Sequence, residues 1–192
     1  MLSEHFFMYK HQYYFNEVFV HAFDIQCSNG VIFLVDEVLG VPEGTVWQIL
    51  NNPDYELSKF AAITKAAGKD VRLNATATST RYTVFAPRDD AFNKIPANDQ
   101  HYIMSSAYAR YLTDYHTHRG VIHPEDLLLS RNISTMHTGF YITFSVDPIT
   151  GATLLDGRSS ILIEDIQADN GMVYVISDVL LPPTMGGITI IG

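Results

Sequence analysis

The stretch "DIQCSNGVIFLVDEVL", residues 24–39, returns as "DIQADNGMVYVISDVL" at residues 165–180, an offset of 141 positions. Asp, Ile, Gln, Asn, Gly, Val and Leu recur at matching places in the two copies. Asn29-Gly30 and Asn170-Gly171 each lie between alternating apolar runs, the strongest short-range sign of a β-hairpin, and a tight turn centred there needs positive φ at both residues. Val31, Phe33 and Val35 then face one way and Ile32, Leu34 and Asp36 the other, a scheme that Met172, Tyr174 and Ile176 repeat. Two organisations satisfy such a repeat: a small element duplicated inside one fold, or the end of one domain followed by a whole second one.

The segment "YYFNEVFVHAF" is strand-like around Asn16-Glu17, so residues 13–39 are expected to form three consecutive strands whose apolar face requires a covering layer. Without that layer, Phe6, Phe7, Tyr13 and Tyr14 are expected to be exposed. After Pro42 the periodicity becomes helical. "GTVWQIL" makes a short helix with Val46, Trp47 and Leu50 apolar, Trp47 serving as a core anchor. "NPDYELSKFAAITKAAGKD" follows with Leu57, Phe60, Ala61 and Ile63 on one stripe, closed by Gly68, and "NATATSTR" is a polar loop.

"YTVFAP" is a buried strand stopped by Pro87, and "RDDAFNKIP" a short helix with Asp89 and Asp90 near its positive end as cap and dipole partner. Residues 99–113 are expected to form one helix with Tyr102, Ile103, Ala107, Tyr111 and Leu112 on its apolar side. A brief strand carrying Tyr115, His116 and His118 then passes a Gly turn into a helix near Pro124, and strands follow near 132–137, 140–147, 152–155, 160–167 and 172–177. Strands and helices fall in separate blocks, which predicts an α+β fold rather than a doubly wound sheet.

A formal charge of -9 opposes a sequence-independent grip on nucleic acid, which needs a Lys/Arg field to displace counterions. No apolar stretch is long enough to span a bilayer, and "MLSEHFFMYKHQYYF" lacks the uninterrupted apolar segment of a signal peptide. Membrane attachment or an export signal would therefore belong to a part of the parent protein outside this chain. Cys27 is the one cysteine, read as a small residue entering a turn, and no internal disulfide can form. Asn74-Ala75-Thr76 and Asn132-Ile133-Ser134 are acceptor triplets for N-glycosylation of an exported chain.

Neither a Gly-x-Ser-x-Gly elbow nor a Gly-x-x-x-x-Gly-Lys phosphate loop occurs, and "GGITIIG" lacks the helix that a dinucleotide fingerprint opens. The imidazoles of His116, His118 and His123 are numerous enough for zinc, but the sequence places no carboxylate to orient them. The expectation is a non-enzymatic chain with neither cofactor nor metal.

"YTVFAPRDDAFNKIP", residues 82–96, and "DNGMVYVISDVLLPP", residues 169–183, resemble the two signatures of the fasciclin-type adhesion domain, and Tyr115-His116 is similar to that family's Tyr-His pair. The resemblance covers residues 43–184 in order and spacing, with departures at Tyr174 and Ser177, where the family carries His and Asp. It implies a fasciclin-like fold, a twisted β-wedge of mostly antiparallel strands with several short helices packed against it. Because such domains occur in tandem at a period near the repeat offset, it also implies an organisation: residues 1–41 as the C-terminal strands of a truncated preceding domain, residues 42–184 as a complete domain, and residues 185–192 as a short tail. The function implied is an extracellular adhesion or matrix-interaction module that binds an integrin-like cell-surface receptor, a matrix protein or a neighbouring fasciclin domain. The residues implied are Asp165, Ile166, Tyr115 and His116, with Asp24-Ile25 in the preceding tail. A hyaluronan-type glycan receptor module is the alternative, opposed by the scarcity of Lys and Arg, and a hydrolase comes third.

Overall fold

β-branched and aromatic residues build an antiparallel meander of four strands, β1 (Phe6–Tyr9), β2 (Gln12–Phe15), β3 (Val18–Cys27) and β4 (Gly30–Val35), paired in that order. The computed structural model describes residues 6–9, 12–15, 18–36, 41–77 and 79–182. The meander has four strands where the sequence predicts three, because residues 6–9 add a strand that pairs Phe6 with Phe15. Tyr13 is half-buried with its ring 4.6 Å from that of Phe23, while the side chains of Phe6, Phe7 and Tyr14, and residues 185–192, lie outside the described part. The chain divides into two compact units, residues 1–41 and residues 42–192.

The second unit opens with short helices. α1 (Val46–Leu50) starts in a capping box, in which the Thr45 hydroxyl accepts from the Gln48 backbone N–H and the Gln48 side chain accepts from Thr45 N–H. α2 (Ser58–Ala66) buries Phe60, Ala61, Ile63 and Thr64, one helical stripe, and ends where Gly68 takes φ of 65° and its N–H donates to Lys65 O. The α2 start is capped from a distance: the Asp89 carboxylate accepts from Lys59 N–H at 2.7 Å and from Ser58 Oγ at 2.6 Å. Asp89 thus serves α2 rather than its own 3-10 turn, Asp89–Lys94, and Asp90 pairs with Arg88 instead.

α3 (Asp70–Leu73) and β5 (Tyr82–Pro87) follow. The single helix expected over 99–113 is two, α4 (Ala97–Ile103) and α5 (Ser106–Tyr115), since extended Ser105 (φ -69°, ψ 142°) interrupts the spiral and donates both its N–H and its hydroxyl to Tyr102 O. The break rotates the buried stripe onto Ile103, Ala109 and Leu112 and leaves Tyr102, Ala107 and Tyr111 outside. Tyr115 ends α5 and His116 is its cap, so of Tyr115, His116 and His118, all expected on a strand, only His118 lies in β6 (Thr117–Arg119).

α6 (Pro124–Ser130), β7 (Asn132–Ser134), β8 (Tyr141–Val146), β9 (Thr153–Leu155), β10 (Ser159–Ala168) and β11 (Gly171–Ile176) complete the unit. The seven strands run in the order β6-β5-β11-β10-β9-β8-β7, antiparallel except for the β5–β11 pair. The sheet curls until its two edges meet, where Met136 N–H donates to Thr117 O at 2.7 Å and His118 Nδ1 lies 2.6 Å from Ser134 O. The fold is α+β, a wedge of mostly antiparallel strands with short helices against it.

Every residue of β5 and β11 is buried, as befits a parallel pair covered on both faces. Val84, Ala86, Val173 and Val175 pack towards the core shared with α1, α2 and α5, whereas Phe85, Met172, Tyr174 and Ile176 enter a second core with Leu127, Ile133, Ile142 and Leu155. At the head of the pair a Cβ added to Gly171 would lie 1.8 Å from Tyr82 O, while one added to Gly30 meets nothing within 4 Å. We therefore expect Gly171→Ala to destabilise the second unit by about 3 kcal/mol or more, and Gly30→Ala to change stability by no more than about 0.5 kcal/mol, as read by chemical denaturation of the two variants.

Candidate functional site

The two Asp-Ile dipeptides occupy equivalent β-bulges. Along β10 the partners are Ile161↔Ile176, Ile163↔Val175 and Ile166↔Val173; along β3 they are Val20↔Val35, Ala22↔Leu34 and Ile25↔Ile32. Each strand slips by one residue at both steps, so the repeated hairpins share their register and both bulges. The second bulge is made possible by a left-handed residue, Asp165 at φ 61° and Asp24 at φ 58°, and Asp tolerates this region better than most side chains. The bulge leaves Asp165 exposed and Ile166 buried, with Leu162, Ile163 and Glu164 exposed beside the carboxylate.

The hairpin turns differ from the expected type. Cys27 pairs with Gly30 and Ala168 with Gly171, which makes Ser28-Asn29 and Asp169-Asn170 the turn residues, and none of them has positive φ. In the second hairpin the Asn170 amide points inward. Its Oδ1 accepts from Val46 N–H at 2.8 Å, and its Nδ2 donates to Leu73 O at 2.8 Å and Ala75 O at 3.1 Å. One side chain therefore joins the start of α1, the end of α3 and the β10–β11 hairpin. An Asn-Gly pair carries the chemistry of a turn, so nothing in the sequence marks this hub. Its counterpart Asn29 is exposed.

Tyr115 and His116 lie in the interior. The Tyr115 hydroxyl donates to Asp156 Oδ2 at 2.9 Å and lies 3.2 Å from Tyr141 O; burial and the nearby Asp156 carboxylate both push its pKa up. Asp156, itself left-handed at φ 51°, also accepts from the N–H and hydroxyl of Thr143, so it ties α5 to the β8–β9 layer, a role with no sequence signal. His116 is fully buried, Nδ1 2.8 Å from Leu112 O and Nε2 accepting from Leu180 N–H at 3.0 Å. With Nδ1 as donor and Nε2 as acceptor the neutral ring satisfies both partners. Both imidazole nitrogens are thus engaged with backbone, and His118 Nδ1 faces Ser134 O. Among the described residues no three His, Cys, Asp or Glu side chains gather as a metal site.

Tyr174, where the family carries His, sits in the core and donates to Ile122 O at 2.7 Å. Ser177 bridges Ser160 Oγ at 3.1 Å and Asp178 Oδ2 at 2.7 Å, while Lys94 Nζ reaches Asp178 Oδ1 at 2.7 Å, fixing the segment that leaves β11. Of the two glycosylation triplets, Asn74 is exposed at the end of α3 and accepts from the Thr45 hydroxyl at 2.7 Å, and Asn132 is exposed on the edge strand β7. No helix among the described residues is long and apolar enough to cross a membrane.

These features define a small α+β module whose signature side chains hold strands and helices together and whose bulge turns one acid outward. The chain belongs to the fasciclin domain family, whose sequence profile matches residues 55–182. It is 26% identical to transforming growth factor-beta-induced protein ig-h3 of Sus scrofa over 92% of this chain, and spans 25% of that protein's length. It is 33% identical over 135 residues to immunogenic protein MPB70 of Mycobacterium bovis, covering 69% of this chain and 66% of the relative. A solved FAS1 domain pair from the insect cell adhesion molecule fasciclin I has the same fold, with a TM-score of 0.63 at 20% identity over 94% of this chain and 67% of that one.

Burial lowers the His116 pKa to about 4, whereas an unfolded imidazole titrates near 6.5. Between these values the unfolded chain binds the extra proton, so stability rises with pH. The contribution is complete above about pH 6.5 and is lost as pH falls towards 4, on the order of 3 kcal/mol in all. Denaturation at pH 4.5 and pH 7 should show this difference, and His116→Gln should remove most of it. Asn170→Ala, which strands Val46 N–H, the buried Leu73 carbonyl and the partly buried Ala75 carbonyl, should cost about 2–4 kcal/mol, and Asn29→Ala much less.

Proposed function

We propose that this chain is a non-enzymatic adhesion or matrix-interaction module that works outside the cell, and that Asp165 is its receptor-facing acid. The observation that carries the reading is the β10 bulge, which holds Asp165 outward in a left-handed backbone while Ile166 anchors in the core. An exposed carboxylate can complete the coordination of a divalent cation held by an integrin-like receptor, and the exposed Leu162 and Ile163 beside it offer apolar contact. In this reading Ile166, Tyr115 and His116 act from within: Ile166 pins the bulge, Tyr115 ties α5 to Asp156, and His116 fixes the exit from β11. Glycans on Asn74 and Asn132 fit a secreted or cell-surface parent, with both sites exposed.

Residues 1–41 are, in the same proposal, the closing strands of a preceding fasciclin domain, and that neighbour is a partner of this chain. Support comes from the mismatch between the two copies. Ile32 is 52% exposed where its counterpart Val173 is fully buried at 0%, and Phe33 and Leu34 are likewise exposed where Tyr174 and Val175 are not. Asn29 and Gly30 keep the chemistry that, at Asn170 and Gly171, serves a helix start and a strand backbone. In a longer chain carrying the upstream residues, Gly30→Ala should lower the stability of that neighbour about as strongly as Gly171→Ala lowers that of the second unit.

Cell spreading on surfaces coated with this chain tests the adhesion role. Spreading should require divalent cations and drop several-fold in Asp165→Ala, while Asp99→Ala, on α4, leaves it unchanged. Equal spreading on both variants would remove Asp165 from the mechanism. Asp156→Ala is no neutral control, because that carboxylate holds Tyr115.

A further inference from the structure

We propose that the cleft between α1 and α2 binds a neutral, hydroxyl-rich ring of the pyranose class, independently of the Asp165 bulge. The cleft encloses about 470 Å³ and is lined by Trp47, Asn51, Asn52, Glu56, Lys65 and Asp89. Trp47, the only tryptophan of the chain, rests against the helical core while also lining the cleft. In this proposal its partly buried indole is the flat apolar surface that the C–H face of a sugar ring needs.

The polar lining is matched to hydroxyl groups, which both donate and accept. Asn51 uses its Nδ2 on Trp47 O at 2.7 Å and keeps Oδ1 as an acceptor. Asn52 uses its Oδ1 on Asp54 N–H at 3.1 Å and keeps Nδ2 as a donor. Glu56, held in a left-handed cap at φ 53°, stands only in a loose 3.9 Å pairing with Arg88, and Lys65 adds an ammonium donor. The Asp89 carboxylate is occupied in capping α2 and contributes charge rather than hydrogen bonds. Two carboxylates against one ammonium leave the cleft acidic, so it selects against uronic-acid and sulfated glycans. A concave site with one apolar platform and a few convergent donors and acceptors is the usual form of a small-molecule subsite.

Because Trp47 is the only tryptophan, any tryptophan fluorescence change arises at the residue that lines this cleft. The whole chain is titrated with neutral gluco-, galacto- and manno-configured disaccharides, with the corresponding monosaccharides, and with a hyaluronan tetrasaccharide, and binding is checked by calorimetry. The expected result is a saturable change with at least one neutral sugar at a millimolar Kd, weakened about fivefold or more by Glu56→Gln and by Lys65→Met, neither of which removes a core contact. Tighter binding of disaccharide than monosaccharide assigns the ligand to a glycan chain, and equal binding to the free sugar. Absence of a saturable change with every neutral sugar overturns the proposal, as does binding unaltered in both variants or a preference for hyaluronan. Cell spreading by Asp165→Ala is read separately, so failure of either proposal leaves the other standing.

Discussion

Tyr82 and Gly171 approach so closely that no side chain fits between the backbone of β5 and the head of β11, and the second unit is organised outward from that contact. The parallel pair it starts is buried on both faces and separates two hydrophobic cores. Asn170, one residue before the glycine, then binds the helical layer to the same point through hydrogen bonds to α1 and the end of α3. Packing and polar satisfaction therefore converge on one hairpin tip. A buried amide with its partners in place specifies a single arrangement of the elements around it, because every alternative would leave a donor or acceptor unpaired.

The repeat shows the same device in two settings. Bulges, register and left-handed aspartate are alike in both hairpins, which means that the local sequence is sufficient to write them. Burial is not alike. Val173, Tyr174 and Val175 are enclosed by β5 and its surroundings, whereas Ile32, Phe33 and Leu34 are exposed. A strand surface that is apolar on both faces is stable in water only with layers against it, and this is the physical ground for reading the first hairpin as part of a larger assembly.

The four residues singled out from the sequence divide into two groups by accessibility. Tyr115, His116 and Ile166 are buried and connect elements, so changing them acts through the shape and stability of the unit. Asp165 is exposed, held outward by the bulge. The acidic character of the chain, with a net charge of -9, opposes polyanionic ligands at both of the sites we propose.

Much of the architecture was legible before any coordinates. Period-two alternation around the repeated Asn-Gly located both hairpins, "YTVFAP" announced a buried strand, and Gly68 marked the end of α2, since these depend on near-neighbour chemistry. Other features depend on partners far along the chain and leave no local trace. Asp89 caps a helix 30 residues before it, and Asn170 reaches 124 residues back to Val46. Such contacts make a hub of a turn amide or give a cap to another helix, and Ser105, a local polar residue, split a helix whose apolar pattern ran straight through it. By itself the sequence determined where most of the strands and helices lie and that one hairpin is written twice. Only the tertiary structure decided which of those side chains face inward, because burial is a property of what lies on the other side of the residue, and for this chain that is set by segments a hundred positions away.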